Sequence, residues 1–284
     1  MMNQLLDQVS LNTEEFNKKG YIIINFLDQS EIQFLMNLYQ QTSSGLTLGF
    51  APSIMSEDID YRQFIDEKIK ELLGTKITLF FRDYRLCFWN FLVKQASRSD
   101  SQVQMHQDWS FTDENQFQSL GIWCPLIDVE PLNGCLHLVP GSHYLNTQPR
   151  GGLNEFPYRH LLPLIEQEYL IALPMKAGQA VVYNTRLFHC SPPNQTDVER
   201  VVLAGLMIPK ISPLRYYHWD HHQYPHQLEV FEVEDNFYTQ IMFYQNTILG
   251  QKPEGLKSLG LIDKGFEPLT AEDLASKLPK MIKQ

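Results

Sequence analysis

The chain has 284 residues, 43% of them hydrophobic, and a formal net charge of −10 from 33 acidic and 23 basic side chains. That hydrophobic share is ordinary for a soluble globular protein. The acidic balance without Lys/Arg runs argues against a nucleic-acid partner, and an acyl-CoA would need a local basic pocket set against the global field. Four cysteines (Cys87, Cys124, Cys135, Cys190) show no CxxC spacing and read as free thiols in a reducing compartment.

The opening MMNQLLDQVSLNTEEF has neither a basic nor an apolar leader segment, so no signal peptide is expected. Next, 12-NTEEFNKKGYIIINFLD-28 predicts a short helix capped by Thr13 and ended by Gly20, followed by a β-branched strand. The run 21-YIIINFL-27 is too short to span a membrane, and the ending MIKQ does not match the peroxisomal SKL signal, so a cytoplasmic protein is expected. In 28-DQSEIQFLMNLYQQ-41, Asp28 precedes Glu31 by three, a capping box. Ile32, Leu35, Met36 and Tyr39 share one helical face and predict core packing.

From about 77 to 209, strand-like runs recur between turn signals: 77-ITLFF-81, 84-YRLCFWNFLV-93, 102-QVQMHQDWSF-111, 119-SLGIWCPLI-127, 134-GCLHLV-139, 179-QAVVYN-184 and 200-RVVLAGLMI-208. This rhythm predicts a β-sandwich or barrel, with no repeat or linker that would divide the chain. The segments 42–66, 144–170 and 210–240 break the rhythm and are expected to be irregular loops or lids. Residues 229–250 look partly helical, and 251–284 are expected to be peripheral.

Within 103-VQMHQDWSF-111, His106 and Asp108 are two residues apart, so on a strand they share a face with Gln104, while Val103 and Met105 point into a packed layer. One imidazole and one carboxylate suit a divalent metal, as in the two-His-one-carboxylate facial triad, but the pair needs a second histidine. The candidate is His189 in 185-TRLFHCSPPNQTDVERVVL-203, eleven residues before Arg200. A hairpin centred near Asn194 and Gln195 would place His189 and Arg200 directly opposite, with metal and guanidinium holding the two ends of a dicarboxylate.

These pieces together, with 14-EEFNKKGYIIINFLDQSE-31, 134-GCLHLVPGSH-143 and 177-AGQAVVYNTRLFHCSPPN-194, resemble the phytanoyl-CoA dioxygenase-like branch of the iron(II)/2-oxoglutarate oxygenases from about residue 12 to 209. The resemblance implies a mainly β fold with flanking helices around a double-stranded β-helix, the jelly-roll or cupin-type core. It implies a single oxygenase domain over 1–284, with the core at about 12–209 and a C-terminal substrate-loop and helical extension at 210–284. It makes His106, Asp108 and His189 the catalytic iron ligands and Arg200 the partner of the far carboxylate of 2-oxoglutarate. Ser191, Asn90 and Trp123 fall where the family has further co-substrate contacts. Gln179 departs from the Asp usual after the turn glycine, a change expected to touch only a turn. Asp108 is the carboxylate that related halogenases lack, which favours hydroxylation.

The implied cofactors are iron(II), 2-oxoglutarate as co-substrate and dioxygen. The expected reaction hydroxylates an unactivated C–H bond of a small polar metabolite in natural-product biosynthesis, releasing succinate and carbon dioxide. Desaturation, demethylation, cyclisation, epimerisation or attack on an acyl-CoA would use the same cofactors. A silent metal- or metabolite-binding sensor and a cupin-like metal isomerase are readings of other classes. The partner is a small molecule, with no nucleic acid or membrane expected, and nothing in the sequence sets the oligomeric state. A second His-x-Asp occurs in 218-HWDHH-222, without strand alternation or a following His–Arg pair. It is read as an aromatic, polar loop lining the substrate pocket. His137 and His143 are read as structural.

Overall fold

A computed structural model describes residues 14–42, 48–151, 156–241 and 252–278. The chain opens with helix α1 (Glu14–Lys19), acidic in its first turn and basic in its last, which complements the helix dipole. Gly20 ends it at φ +80°, and a β-carbon there would stand 2.5 Å from His143 Nδ1. Thr13, the expected cap, lies outside the described residues. Strand β1 (Tyr21–Asn25) leads into α2 (Gln29–Thr42), whose capping box forms: Glu31 N donates to Asp28 Oδ1 at 2.9 Å and Asp28 N to Glu31 Oε2 at 2.8 Å. Ile32, Leu35, Leu38 and Tyr39 form its buried stripe, with Met36 partly buried beside it.

Strand β2 (Phe50–Pro52) precedes α3 (Ile59–Phe80), which Asp58 caps by accepting from Tyr61 N at 3.0 Å. The strand expected at 77-ITLFF-81 is thus the last turn of a 22-residue helix. Ile69, Leu73, Ile77 and Phe80 are buried at spacings of four, four and three, and that longer helical period overrides a five-residue β-rich window.

The remaining elements are β3 (Tyr84–Lys94), β4 (Val103–His106), β5 (Leu120–Pro125), β6 (Leu136–Leu138), α4 (Leu162–Glu168), β7 (Ile171–Leu173), β8 (Gln179–Asn184), β9 (His189–Ser191), β10 (Arg200–Pro209), β11 (Arg215–His218), β12 (Gln227–Glu232), α5 (Phe237–Gln240), β13 (Ser258–Asp263) and α6 (Ala271–Lys277). A six-stranded sheet runs β1-β8-β5-β10-β3-β2, and a four-stranded sheet runs β4-β9-β6-β7. All their pairings are antiparallel. The expected mainly β, jelly-roll-type core with flanking helices is present.

Strand β10 shows how the layers are built. Val201, Leu203 and Met207 join a core cluster with α2 and α3, while Arg200, Ala204 and Leu206 line a cavity on the other face of the sheet. This is the period-two alternation of a strand buried on both sides.

All three stretches expected to be irregular carry regular structure, with α4 (Leu162–Glu168) inside 144–170. Residues 59–66 belong to α3, and β11 and β12 form a third, three-stranded sheet with β13. The C-terminal residues are less peripheral than expected, since Leu269, Leu274 and Leu278 are buried in a cluster with Met105, Tyr158 and Phe188. Of the tail 229–250, expected to be partly helical, 229–232 is strand, 237–240 is a short helix, and 242–250 lie outside the described residues. All four cysteines are free. Among the described residues, no helix is long and apolar enough to cross a membrane.

Candidate metal and co-substrate site

Strand β4 ends at His106, whose Cα pairs in register with His189, the first residue of β9. The two rings face each other with centroids 4.1 Å apart. Each ring is oriented by its own backbone: His106 Nδ1 bonds Gln104 O at 2.8 Å and His189 Nδ1 bonds Leu187 O at 2.9 Å. An imidazole that donates from Nδ1 presents the lone pair of Nε2, the form a metal ligand needs. Burial first, and the neighbouring His189 second, push the His106 pKa down to about 4, so it is neutral at physiological pH.

Asp108 lies beyond the end of β4, so strand alternation alone does not place it. Its backbone does: Asp108 N donates to Thr185 O at 3.0 Å, and Arg150 Nε donates to Asp108 O at 2.7 Å. Arg150 is itself fixed by a buried 2.7 Å ion pair with Glu114. Asp108 Oδ1 then stands 3.6 Å from His189 Nε2 and 3.8 Å from His106 Nε2. Tyr183 OH donates to Asp108 Oδ2 at 2.9 Å. The ligand atoms of His106, Asp108 and His189 all lie within 4.8 Å of one another. Two imidazole nitrogens and one carboxylate oxygen converging on one point fit a non-haem divalent iron. Among the described residues this is the one group of three or more such side chains able to hold a metal.

Arg200, the first residue of β10, is 1% exposed, and its Nε and Nη1 have no hydrogen-bond partner. Its guanidinium lies over the Trp123 ring, 5.5 Å from the centroid. Burial pulls its pKa down to about 9. Beside it in register is Lys94, wholly buried, whose Nζ donates to the carbonyls of Ser191 and Pro192. Burial, and then the Arg200 charge, push the Lys94 pKa down to about 7. A buried guanidinium with unpaired donors is costly unless an anion meets it. A carboxylate matches its fork.

The expected hairpin between His189 and Arg200 does not form. Strand β9 pairs with β4 and β6, whereas β10 pairs with β3 and β5, so the two residues belong to different sheets. Asn194 is the reason. Its backbone N–H bonds Ser101 Oγ at 2.8 Å and its side chain donates to Lys94 O and Val198 O. The bonds to Ser101 and Lys94 pin the segment to neighbouring elements, while the bond to Val198 O closes only a local turn within it. Both residues still line one cavity of about 680 Å³.

Ser191, Asn90 and Trp123 line that cavity too. Asn90 and Trp123 flank Ala204 in register from the two neighbouring strands. Asn90 Nδ2 is used by Ala204 O, and Asn90 Oδ1 is buried with no partner. Every candidate site residue read from the sequence therefore lines the cavity. Tyr183, Lys94 and Arg150 were not read as site residues. Tyr183 lies on β8, in a different sheet from His189, and Arg150 carries no local motif.

A family model described as phytanoyl-CoA dioxygenase (PhyH) matches residues 50–202, more than half of the chain. The chain belongs to the phytanoyl-CoA dioxygenase family. It is 33% identical over 101 residues to a phytanoyl-CoA dioxygenase of Arabidopsis thaliana, covering 35% of this chain and 36% of that protein. It is 31% identical over 105 residues to phytanoyl-CoA dioxygenase 1 of Oryza sativa subsp. japonica, covering 36% and 37%. The matches thus span little more than a third of these relatives' length.

In fold, the chain is similar to the epimerase SnoN in complex with Fe3+, alpha ketoglutarate and nogalamycin RO, with a TM-score of 0.55 at 18% identity over 70% of this chain and 83% of that one. It is also similar to EvdO2 from Micromonospora carbonacea var. aurantiaca complexed with 2-oxoglutarate, with a TM-score of 0.51 at 19% identity over 69% and 89%.

Gln179 accepts from Lys176 N at 2.9 Å and closes a turn. His143 bonds Asn17 O at 3.1 Å and packs on Gly20, a structural placement. The second His-x-Asp is built differently. His218 is buried with Nδ1 3.3 Å from Tyr216 OH, and Asp220 Oδ1 accepts from the backbone N–H groups of His222 and Gln223.

That loop was expected to line the substrate pocket, and it does not. Asp220 folds it into its own turn, and His218 and Asp220 border a separate pocket of about 180 Å³ with Glu229 and Lys252. None of the described residues beyond Leu206 lines the larger cavity.

Proposed function

We propose that this chain is an iron(II)- and 2-oxoglutarate-dependent oxygenase acting on a C–H bond of a small molecule. The observation that carries the reading is one cavity holding the His106–Asp108–His189 cluster and a buried Arg200 with unpaired donors. His106, Asp108 and His189 would hold the iron, and Arg200 with Ser191 would take the distal carboxylate of 2-oxoglutarate. Asn90 Oδ1 and the Trp123 face would border the co-substrate. Iron(II) with 2-oxoglutarate and dioxygen supplies the oxidising power for an unactivated C–H bond, releasing succinate and carbon dioxide. The protein orients the ligands and the co-substrate and keeps water away.

The rest of the cavity wall bears on the substrate. Phe50, Ile54, Phe88, Trp109, Phe111 and Phe156 line it. Apart from Asp108 and Arg200, Arg159 is the one charged residue among the described lining residues. Such walls favour a substrate whose reacting part is apolar. The small polar metabolite expected from the sequence drew on the Tyr, Trp and His of the loops, and one of those loops, 218–227, borders a different pocket. Hydroxylation is the outcome we favour, because Asp108 occupies the position a halogenase keeps free for halide. The chain would work as a single domain, since its C-terminal leucines complete the cluster behind Met105, and the four free thiols support a reducing, cytoplasmic setting.

The test is aerobic turnover of 2-oxoglutarate by the iron-loaded protein, read as succinate release. Release that depends on iron and is abolished in Arg200→Ala supports the reading. Iron binding without any 2-oxoglutarate consumption, alone or with a panel of apolar candidate substrates, would favour a sensor instead.

A further inference from the structure

The two oxygens of Asp108 have different surroundings. Oδ1 faces the histidine nitrogens at 3.6 and 3.8 Å. Oδ2 accepts the Tyr183 hydroxyl at 2.9 Å. Tyr183 comes from the other sheet, on β8, where it pairs in register with Gly121 of β5. A β-carbon on Gly121 would stand 2.3 Å from Tyr183 Cζ and 2.6 Å from its hydroxyl oxygen. The phenol ring therefore lies across the glycine, and any side chain at 121 would drive the hydroxyl off the carboxylate. The ring also packs edge-on against His189, with centroids 5.2 Å apart. Its placement thus couples both sheets at the cluster.

A free carboxylate can bind a metal through one oxygen or through both. We infer that Tyr183 is a positioning residue that occupies Asp108 Oδ2 and so fixes Asp108 as a one-oxygen ligand, keeping a coordination position free for 2-oxoglutarate. This rests on the oxygenase reading above. It adds a residue and a consequence: without the hydroxyl, the carboxylate can turn its second oxygen to the metal and compete with the co-substrate. Removing a group that orients a metal ligand costs about 10- to 100-fold in metal affinity or activity; here the loss falls on the co-substrate, because the freed oxygen takes its position.

The experiment compares wild type and Tyr183→Phe, which lacks only the hydroxyl, without oxygen. Metal-free protein is titrated with cobalt(II), read by its visible absorption, and then with 2-oxoglutarate. The infrared difference spectrum on cobalt addition, with carbon-13-labelled aspartate, reports the separation of the asymmetric and symmetric carboxylate stretches. That separation is wide for one-oxygen and narrow for two-oxygen binding. Tyr183→Phe is expected to bind cobalt within about 10-fold of wild type, to show a narrowed separation and to bind 2-oxoglutarate about 10- to 100-fold more weakly.

Gly121→Ala keeps the hydroxyl and displaces it. It should give the same spectral change, and the double variant should be no worse than either single one. Should Tyr183→Phe fail to fold, Gly121→Ala carries the test alone. Wild-type stretches and wild-type 2-oxoglutarate affinity in a folded variant would overturn the role of Tyr183. A wild-type protein that binds no cobalt would overturn the oxygenase reading itself.

Discussion

Two segments of this chain share the spacing His-x-Asp, and the fold makes different things of them. His106 and Asp108 converge with His189, their ring nitrogens and carboxylate aimed at one point and their other atoms held by Gln104 O, Leu187 O and Tyr183 OH. His218 is instead buried against Tyr216, and Asp220 spends its carboxylate on two backbone N–H groups of its own turn. The spacing is the same; what differs is whether lone pairs remain once local hydrogen bonds are satisfied. An aspartate that caps its own turn has little reason to bind anything else.

Substitutions at the two segments should separate them most sharply. His189→Ala should weaken cobalt(II) or iron(II) binding by on the order of a thousandfold, since one of three ligands is lost. His218→Ala should leave metal affinity within about twofold, because surface or structural histidines contribute nothing to a distant site. Isothermal titration of the two variants under nitrogen reads both values. Equal losses would erase the distinction drawn here.

Arg200→Ala comes next in size. Removing the buried partner of a carboxylate costs about 2–5 kcal/mol in comparable pairs, so 2-oxoglutarate affinity should fall by at least about 30-fold while metal affinity stays unchanged. Equilibrium binding of 2-oxoglutarate to the cobalt form checks this. A parallel loss of metal binding would mean that Arg200 shapes the cluster rather than the co-substrate end.

Lys94 gives a smaller, pH-dependent effect. Its folded pKa of about 7 lies below the ordinary 10.5, so the unfolded chain binds the extra proton between those values and stability rises with pH. Between about pH 7 and 8, before the unfolded chain's thiols ionise and the four cysteines, their pKa values raised by burial in the fold, act in the opposite sense, Lys94 should contribute a slope of about 1 kcal/mol per pH unit. Urea unfolding across that range should show this slope in wild type and not in Lys94→Met. The smallest effect is expected at the second motif: Asp220→Asn should change stability by less than about 1 kcal/mol, read by thermal melting, with metal binding untouched.

Much of the site was legible in the sequence because its chemistry is local. His106 and Asp108 sit in one short run, and His189 and Arg200 are eleven residues apart, so residue types and spacing were enough to nominate them. Their arrangement was not legible. The hairpin proposed for His189 and Arg200 failed because Asn194 pins the intervening turn to Ser101 and β3, contacts about 93 to 100 residues away in sequence. Tyr183 was missed for a similar reason, since its role depends on Asp108 75 residues away and on a glycine on the next strand. The misassigned strand at 77–81 shows the limit of short windows: its β-branched and aromatic residues suit either element, and burial on one helical stripe decided the matter. The jelly-roll core itself was readable from the rhythm of short strands together with the family resemblance, whereas the pairing of β11, β12 and β13 into a third sheet left no alternation strong enough to read.

The most direct test of the central claim is optical. Iron(II) and 2-oxoglutarate are added together to metal-free protein without oxygen, and the visible spectrum is recorded for wild type, Asp108→Ala and His218→Ala. A weak charge-transfer band in wild type and His218→Ala, absent in Asp108→Ala, is the predicted result. Bound iron with no band in the wild type, or a band that survives loss of Asp108 but not of His218, would contradict the assignment of the site.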